Sequence, residues 1–356
     1  MFHLIQYFIL PVLKISRYYN LQKNELKSYG FQQVTRKQKK LPAANSFSYL
    51  CRMRSNTFKG YLYALIATLA FSNVYIFSKA ALNEVHLAQF GVYWFAIGGL
   101  LTLLFAWRNR DLRQLKRLTR KQIKTLISLG ILEMLTTTSF FISINIIANP
   151  AVTSFLGNMY PVMVTIGGIF ILKEKFGPIE IFGIFLALSG AFLISYSGGT
   201  TIETFFIKGT GWVFINAFFA TVATLIVKVH VKNLSPGLIN LNRTVWLLSL
   251  SVIMLFVYKQ PLAIPFSALK NIAIGAVLGP FLAILTVYYS FKYIEASRSS
   301  IIQSLKGIFV LIGAYFVFKS FPLPHQFIGG MITVLGVLVM TLAQSGVFKR
   351  FATKKK

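Results

Sequence analysis

Three side chains in this sequence carry charge where charge is expensive. Glu133, Arg243 and Lys306 each lie well inside a long apolar segment, and a charged group at the centre of a bilayer costs roughly 2.5–3.5 kcal/mol on insertion scales. Glu133 is the only carboxylate so placed. It could take up and release a proton to couple transport, or hold a substrate amine. Lys306 and Arg243 could hold a carboxylate or a phosphate. The competing reading for all three is a structural ion pair that pins helices together, or a group facing a wet crevice. Glu133 follows Lys124 by nine residues and Lys306 follows Arg298 by eight. That puts the two at nearly the same depth from one membrane face, so they are expected to share a central cavity.

Helix breakers mark related depths. Gly279-Pro280 falls opposite Glu133 when the two halves of the chain are aligned, and Tyr160-Pro161 falls opposite Lys306-Gly307. Breakers at membrane depth free backbone carbonyls and are tolerated where they line a cavity. Polar and aromatic neighbours extend this candidate substrate or ion site: Asn73, Tyr75, Asn145, Asn158, Asn216, Asn242, Tyr288, Tyr289 and Gln303. Each of these residue types is also ordinary glue between membrane helices. Trp94 reads either as an interfacial anchor or as a cavity wall. Lys79, Lys228 and Lys292 lie near segment ends and are expected to snorkel to the interface.

The elements that must position these residues follow from composition. Of 356 residues 55% are apolar and 13% charged, with a mean hydropathy of +0.65. Soluble domains carry roughly a quarter charged residues, so this chain could not cover a water-soluble fold. Apolar segments long enough to span a bilayer are expected at 60–83, 87–107, 125–147, 151–172, 178–197, 209–229, 236–258, 271–293, 299–318 and 325–343. The class is all-α membrane, with ten transmembrane helices. Residues 1–58 form a basic extension, expected to be mobile and dispensable, with Met53 a natural start. Residues 198–208 are a linker, and 344–356 a basic tail.

The 37 basic residues against 8 acidic ones would suggest nucleic acid in a soluble protein. Here they lie almost entirely between or beyond the apolar runs, so no nucleic-acid partner is expected. The stretch 108–124 holds Arg108, Arg110, Arg113, Lys116, Arg117, Arg120, Lys121 and Lys124, and Lys173, Lys175, Lys232 and Arg298 fall on the same side. The opposite loops carry Lys208, Lys259, Lys270 and Lys319. Positive-inside bias then places both termini in the cytoplasm.

The two halves also resemble each other. Gly60 and Lys79 match Gly209 and Lys228 at one offset. Ser154, Lys173, Pro178, Gly183 and Gly190 match Ser300, Lys319, Pro324, Gly329 and Gly336 at another. Five spans per copy is odd, so successive copies insert with opposite orientation: a 5+5 inverted-topology repeat of the kind secondary transporters use for alternating access. Small-xxx-small spacings at Gly183/Ala187 and Gly329/Thr333 allow close helix approach. They leave the state open between monomer and homodimer.

The run Gly60–Leu65 leading to Phe77-Ser78-Lys79 resembles the opening helix of EamA-type members of the drug/metabolite transporter superfamily. So do Ala148–Pro161, Leu172-Lys173-Glu174, and Ile181–Gly183 through Leu188–Gly190. The second copy echoes them in Tyr293–Ser297 and Ile328–Gly330 through Gly336. The resemblance spans about residues 59–343, as repeats 59–197 and 209–343. It implies a central cavity ringed by helices 1–4 and 6–9, with helices 5 and 10 outside. It also implies transport of metabolites, often amino acids and often outward, with sugar phosphates carried by some relatives. Trp94 stands where the first repeat often has arginine, while Arg243 keeps the matching position in the second. Ser320 replaces the glutamate that matches Glu174.

The expected function is therefore a secondary-active exporter in the bacterial inner membrane. Its cargo is a small organic metabolite, with amino acids and related zwitterions preferred, and a proton or other ion as the coupling partner. The alternatives are a carrier for organic anions or sugar phosphates, or a membrane-embedded enzyme or channel. No cofactor or metal is expected: there is no Gly-rich phosphate loop and no Ser/His/Asp set. Cys51 is the single cysteine, and the four histidines share no ligand spacing.

Overall fold

Long apolar segments with no water to satisfy their backbone must close their own hydrogen bonds, and helices do so. The computed structural model describes residues 43–172, 177–199 and 206–344. Residues 1–42, Lys173, Glu174, Lys175, the middle of the 198–208 linker and all but the first residue of the 344–356 tail lie outside the described residues. The chain divides into two units, Met1–Met53 and Arg54–Lys356. Of the first, residues 43–53 are described, and they are helical.

The helices are α1 (Ala43–Leu82), α2 (Leu87–Arg108), α3 (Arg120–Ile146), α4 (Pro150–Leu156), α5 (Met159–Leu172), α6 (Pro178–Ser195), α7 (Thr210–His230) and α8 (Pro236–Val257). They continue with α9 (Phe266–Ala276), α10 (Ile284–Tyr293), α11 (Ala296–Ser304), α12 (Lys306–Phe318) and α13 (Pro324–Gln344). A 3-10 turn, Asp111–Arg117, follows α2, and a π segment, Val277–Ala283, joins α9 to α10. Local sequence sets many of the starts. Pro150, Pro178 and Pro236 sit at first-turn positions, where the missing N–H costs nothing. The Thr119 and His86 side chains cap α3 and α2 through reciprocal bonds with Gln122 and Gln89.

Among the described residues, eight helices are long and apolar enough to cross a membrane, with a shorter apolar helix at Pro324–Met340. The difference from the ten expected spans has a local cause. The segment expected at 151–172 is broken at Gly157-Asn158 into α4 and α5, neither long enough to span alone. The segment expected at 325–343 is the shorter apolar helix, while the one expected at 299–318 stands among the eight although it too is interrupted, at Leu305, between α11 and α12. The two breaks fall at nearly the same offset as the sequence matches between halves.

Packing places α2 against α8, α3 against α7 and α8, and α6 against α13. The α6/α13 contact explains the small-residue spacing. A side chain at Gly183 would meet the Met340 N and Gly336 O atoms at 2.6 and 2.8 Å, and one at Gly190 would meet Gly329 O at 2.6 Å. These faces are spent on each other within one chain. Lys79 and Lys228 do not snorkel. The Lys79 ammonium donates to the Ile144 and Asn145 carbonyls, both at 3.0 Å, and Lys228 donates to Phe291 O at 2.8 Å and Ile294 O. Each lysine thus closes the carbonyls left open at a helix C-terminus: α3 in the first half, α10 in the second.

Candidate functional site: a charged cavity at the helix breaks

Helices α1, α2, α3, α5, α7, α8, α10, α11 and α12 surround a cavity of about 150 Å³, together with the π segment. Each helix offers one stripe to it. Phe71, Val74 and Tyr75 do so from α1; Glu133, Thr137 and Phe140 from α3; Asn216, Ala220 and Thr224 from α7; Ile284, Val287 and Tyr288 from α10. These are i, i+3, i+4 and i+7/8 positions, the spacing of a single helix face. The π segment carries Pro280, whose ring and missing N–H prevent a regular α-helix. Gly279 there lets the Trp94 indole lie against the backbone, since a Cβ would come within 2.9 Å of it. Trp94, 2% exposed, is therefore a cavity wall and not an interfacial anchor.

Charge within the cavity is arranged unevenly. The Arg243 Nε donates to Glu133 Oε2 at 2.8 Å, Arg243 Nη2 donates to Thr137 Oγ1 at 2.9 Å, and the Tyr288 hydroxyl donates to Glu133 Oε1 at 3.1 Å. Both carboxylate oxygens thus have a donor. The remaining guanidinium nitrogen, Arg243 Nη1, is buried without a hydrogen-bond partner among the described residues. Lys306, the first residue of α12, also lines the cavity and is 9% exposed. Its ammonium lies 5.8 Å from the centre of the Tyr75 ring. No hydrogen bond or ion pair to it occurs among the described residues. Counting one carboxylate against two cations, the cavity carries one uncompensated positive charge.

Of the residues singled out from sequence, Glu133, Lys306, Arg243, Tyr160, Tyr75, Tyr288, Gln303, Trp94, Asn216, Gly279 and Pro280 line this cavity. Glu133 and Lys306 share it as expected, but the ion pair forms with Arg243, because α3 packs directly on α8. Others lie elsewhere. Asn73 is on an exposed face and donates to Leu69 O. Asn145 is exposed, and its carbonyl accepts from Lys79. Tyr289, one residue on from Tyr288, stacks on Tyr63 at 5.4 Å. Asn242 donates to Leu126 O. Asn158 is fully buried beside the cavity lining, with neither amide atom hydrogen-bonded. Pro161 is buried outside the lining. Gly307 packs on Phe155, where a side chain would meet the ring at 2.8 Å.

Thr136, Thr137, Phe140, Phe141 and Thr224 were not foreseen. Their signal was present: the α3 residues lie three, four, seven and eight positions after Glu133, on its own face.

With this geometry in hand, comparison with known proteins is informative. The sequence matches the EamA-like transporter family over residues 58–196 and again over 207–342. The chain belongs to the EamA-like transporter family. The two matched stretches coincide with the two halves read from the internal repeat, and the protein is a multi-pass membrane protein of the drug/metabolite transporter superfamily. No curated protein matches it. Its fold is similar to that of a solved structure titled "Crystal structure of protein", with a TM-score of 0.61 at 15% identity. The similarity covers 82% of this chain and 97% of that one.

Proposed function

We propose that this EamA-like protein is a secondary-active exporter of small organic metabolites that carry a carboxylate or other single anionic group. The observation that supports this reading is the cavity's residual positive charge: Glu133 is consumed by Arg243, and Lys306 has no anionic partner among the described residues. A desolvated cation is costly unless something completes it, and an anionic solute would do so. The N-terminal end of a half-helix adds partial positive charge at the same place, an arrangement used for substrate carboxylates in other transporters built from broken helices. Trp94, Phe71, Phe140 and Phe141 offer the apolar body of such a solute a wall.

Amino acids and related zwitterions meet the requirement through their carboxylate, and organic anions or sugar phosphates meet it without needing a partner for an ammonium. The engaged state of Glu133 favours the anions. We read the architecture as ten helices in a 5+5 inverted repeat, with α4/α5 and α11/α12 as the paired broken spans. The repeats would rock about the cavity to alternate access, with both termini cytoplasmic in a bacterial inner membrane. Coupling to a proton or another ion would run through Glu133 or Lys306.

Purified protein in proteoliposomes should drive saturable counterflow of labelled organic anions or amino acids, and not of simple amines. Saturable flux of amines alone would sink the substrate class. Catalytic turnover without flux would sink the carrier.

A further inference from the structure

A second concave site lies at the other extreme of α2, away from the cavity. It is a groove of about 490 Å³ lined by Trp107, Arg108, Arg110, Leu112 and Arg113, where α2 ends and the 3-10 turn begins. All three arginines are exposed, and none of their guanidinium groups has a hydrogen bond or ion pair among the described residues. In the middle of this run, Asp111 places its Oδ2 in a buried position against Gly237 at the start of α8.

The groove is held in place. Gln114 Nε2 donates to Asn233 O at 2.6 Å, and Ser235 N donates to Gln114 Oε1 at 2.9 Å, tying the 3-10 turn to the loop before α8. Arg110 takes a left-handed backbone at φ 60°, uncommon for a residue with a side chain. The chain there folds back from α2, bringing Arg113 round to the side of Arg108.

What leads into the groove is equally specific. Leu100, Leu103, Leu104 and Trp107 are exposed at i, i+3, i+4 and i+7 of α2, with Trp107 at 71%. That is a single apolar stripe running along the span and ending at the arginines. Guanidinium forks match phosphate oxygens in pairs, and a tryptophan at a span end sits at headgroup level. We propose that this groove binds the headgroup of an anionic phospholipid, its phosphate held by Arg108, Arg110 and Arg113 and one acyl chain lying along the leucine stripe. A free phosphate or soluble anion would use the arginines and leave the stripe idle. Basic pockets at membrane surfaces bind such headgroups generally. The site is independent of the transport reading.

Native mass spectrometry of the full chain, purified from mixed phosphatidylglycerol/phosphatidylcholine vesicles with matched acyl chains, tests it. The wild type should retain phosphatidylglycerol preferentially, and inorganic phosphate should not displace it. R108Q/R110Q/R113Q should lower that retention by about tenfold, whereas K116Q/R117Q/K121Q, which removes the same charge from exposed neighbours, should leave it nearly unchanged. R108K/R110K/R113K preserves the loop charge that orients the chain and should still weaken retention, so a failure of the glutamine variant to insert does not decide the outcome. Equal retention of the two lipids, an equal loss in both glutamine variants, or full displacement by inorganic phosphate would each overturn the proposal.

Discussion

Two corners of one cavity hold their charge differently. At the first, Glu133, Arg243, Thr137 and Tyr288 are joined by three hydrogen bonds across α3, α8 and α10, with only Arg243 Nη1 left without a partner among the described residues. At the second, the Lys306 ammonium lies near the Tyr75 ring and faces cavity space, with no ion pair among the described residues. Breaking a buried pair leaves an uncompensated ion, while neutralising a lone buried ion removes a cost. On the function proposed above, the first corner holds the helices and the second accepts the solute.

Breaking the first corner should have the largest effect. Arg243→Leu strands Glu133 as a buried unpaired carboxylate, and losses of about 3–5 kcal/mol are typical for such a change. A sharp fall in thermal stability in detergent is expected, with little folded protein recovered. Wild-type stability in this variant would mean that the pair is not structural. Replacing both partners, as Glu133→Gln with Arg243→Leu, should recover much of the loss, since neither charge is then orphaned.

Next comes the seam outside the cavity. Gly183→Val forces a side chain into the Met340 backbone across α6 and α13. Overpacking of this kind costs about 1–3 kcal/mol, so a moderate drop in melting temperature is expected without a change in substrate preference. An altered preference at unchanged stability would tie this seam to the site.

The smallest stability effect should be at the second corner. Lys306→Gln should insert and melt within about 1 kcal/mol of the wild type or above it, because a desolvated charge is removed. A large destabilisation would give Lys306 an unrecognised structural partner. Smaller still is the effect of Asn73→Ala. Its side chain bonds only within its own helix on an exposed face, so near-normal flux is expected, and a large loss would bring that face into the transport path.

How far the sequence carries explains where these corners were visible. Depth was legible: Glu133, Arg243, Lys306 and the Gly279-Pro280 break were all placed near the middle of their segments, and the structure collects them at one cavity. Position around the ring was not. Glu133 and Lys306 have equal depth in sequence, yet the carboxylate pairs with Arg243 because α3 neighbours α8, and helix adjacency is a property of packing. Azimuth could have been used more fully. Asn73 lies two residues from Tyr75, and Asn145 twelve from Glu133, so neither shares the cavity-facing stripe of its own helix. Lys79 and Lys228 misled for another reason. Their ends of span looked interfacial, but the open carbonyls of a neighbouring helix were closer than water.

The central claim is that Lys306 receives the substrate's anionic group while the Glu133–Arg243 pair holds the frame. Its most direct test is anion counterflow in proteoliposomes with Lys306→Gln and Lys306→Arg, at matched protein incorporation and thermal stability. The glutamine variant should lose flux by about tenfold or more, the loss of one charge-assisted hydrogen bond, and the arginine variant should retain part of it. Wild-type anion flux in Lys306→Gln protein would contradict the assignment.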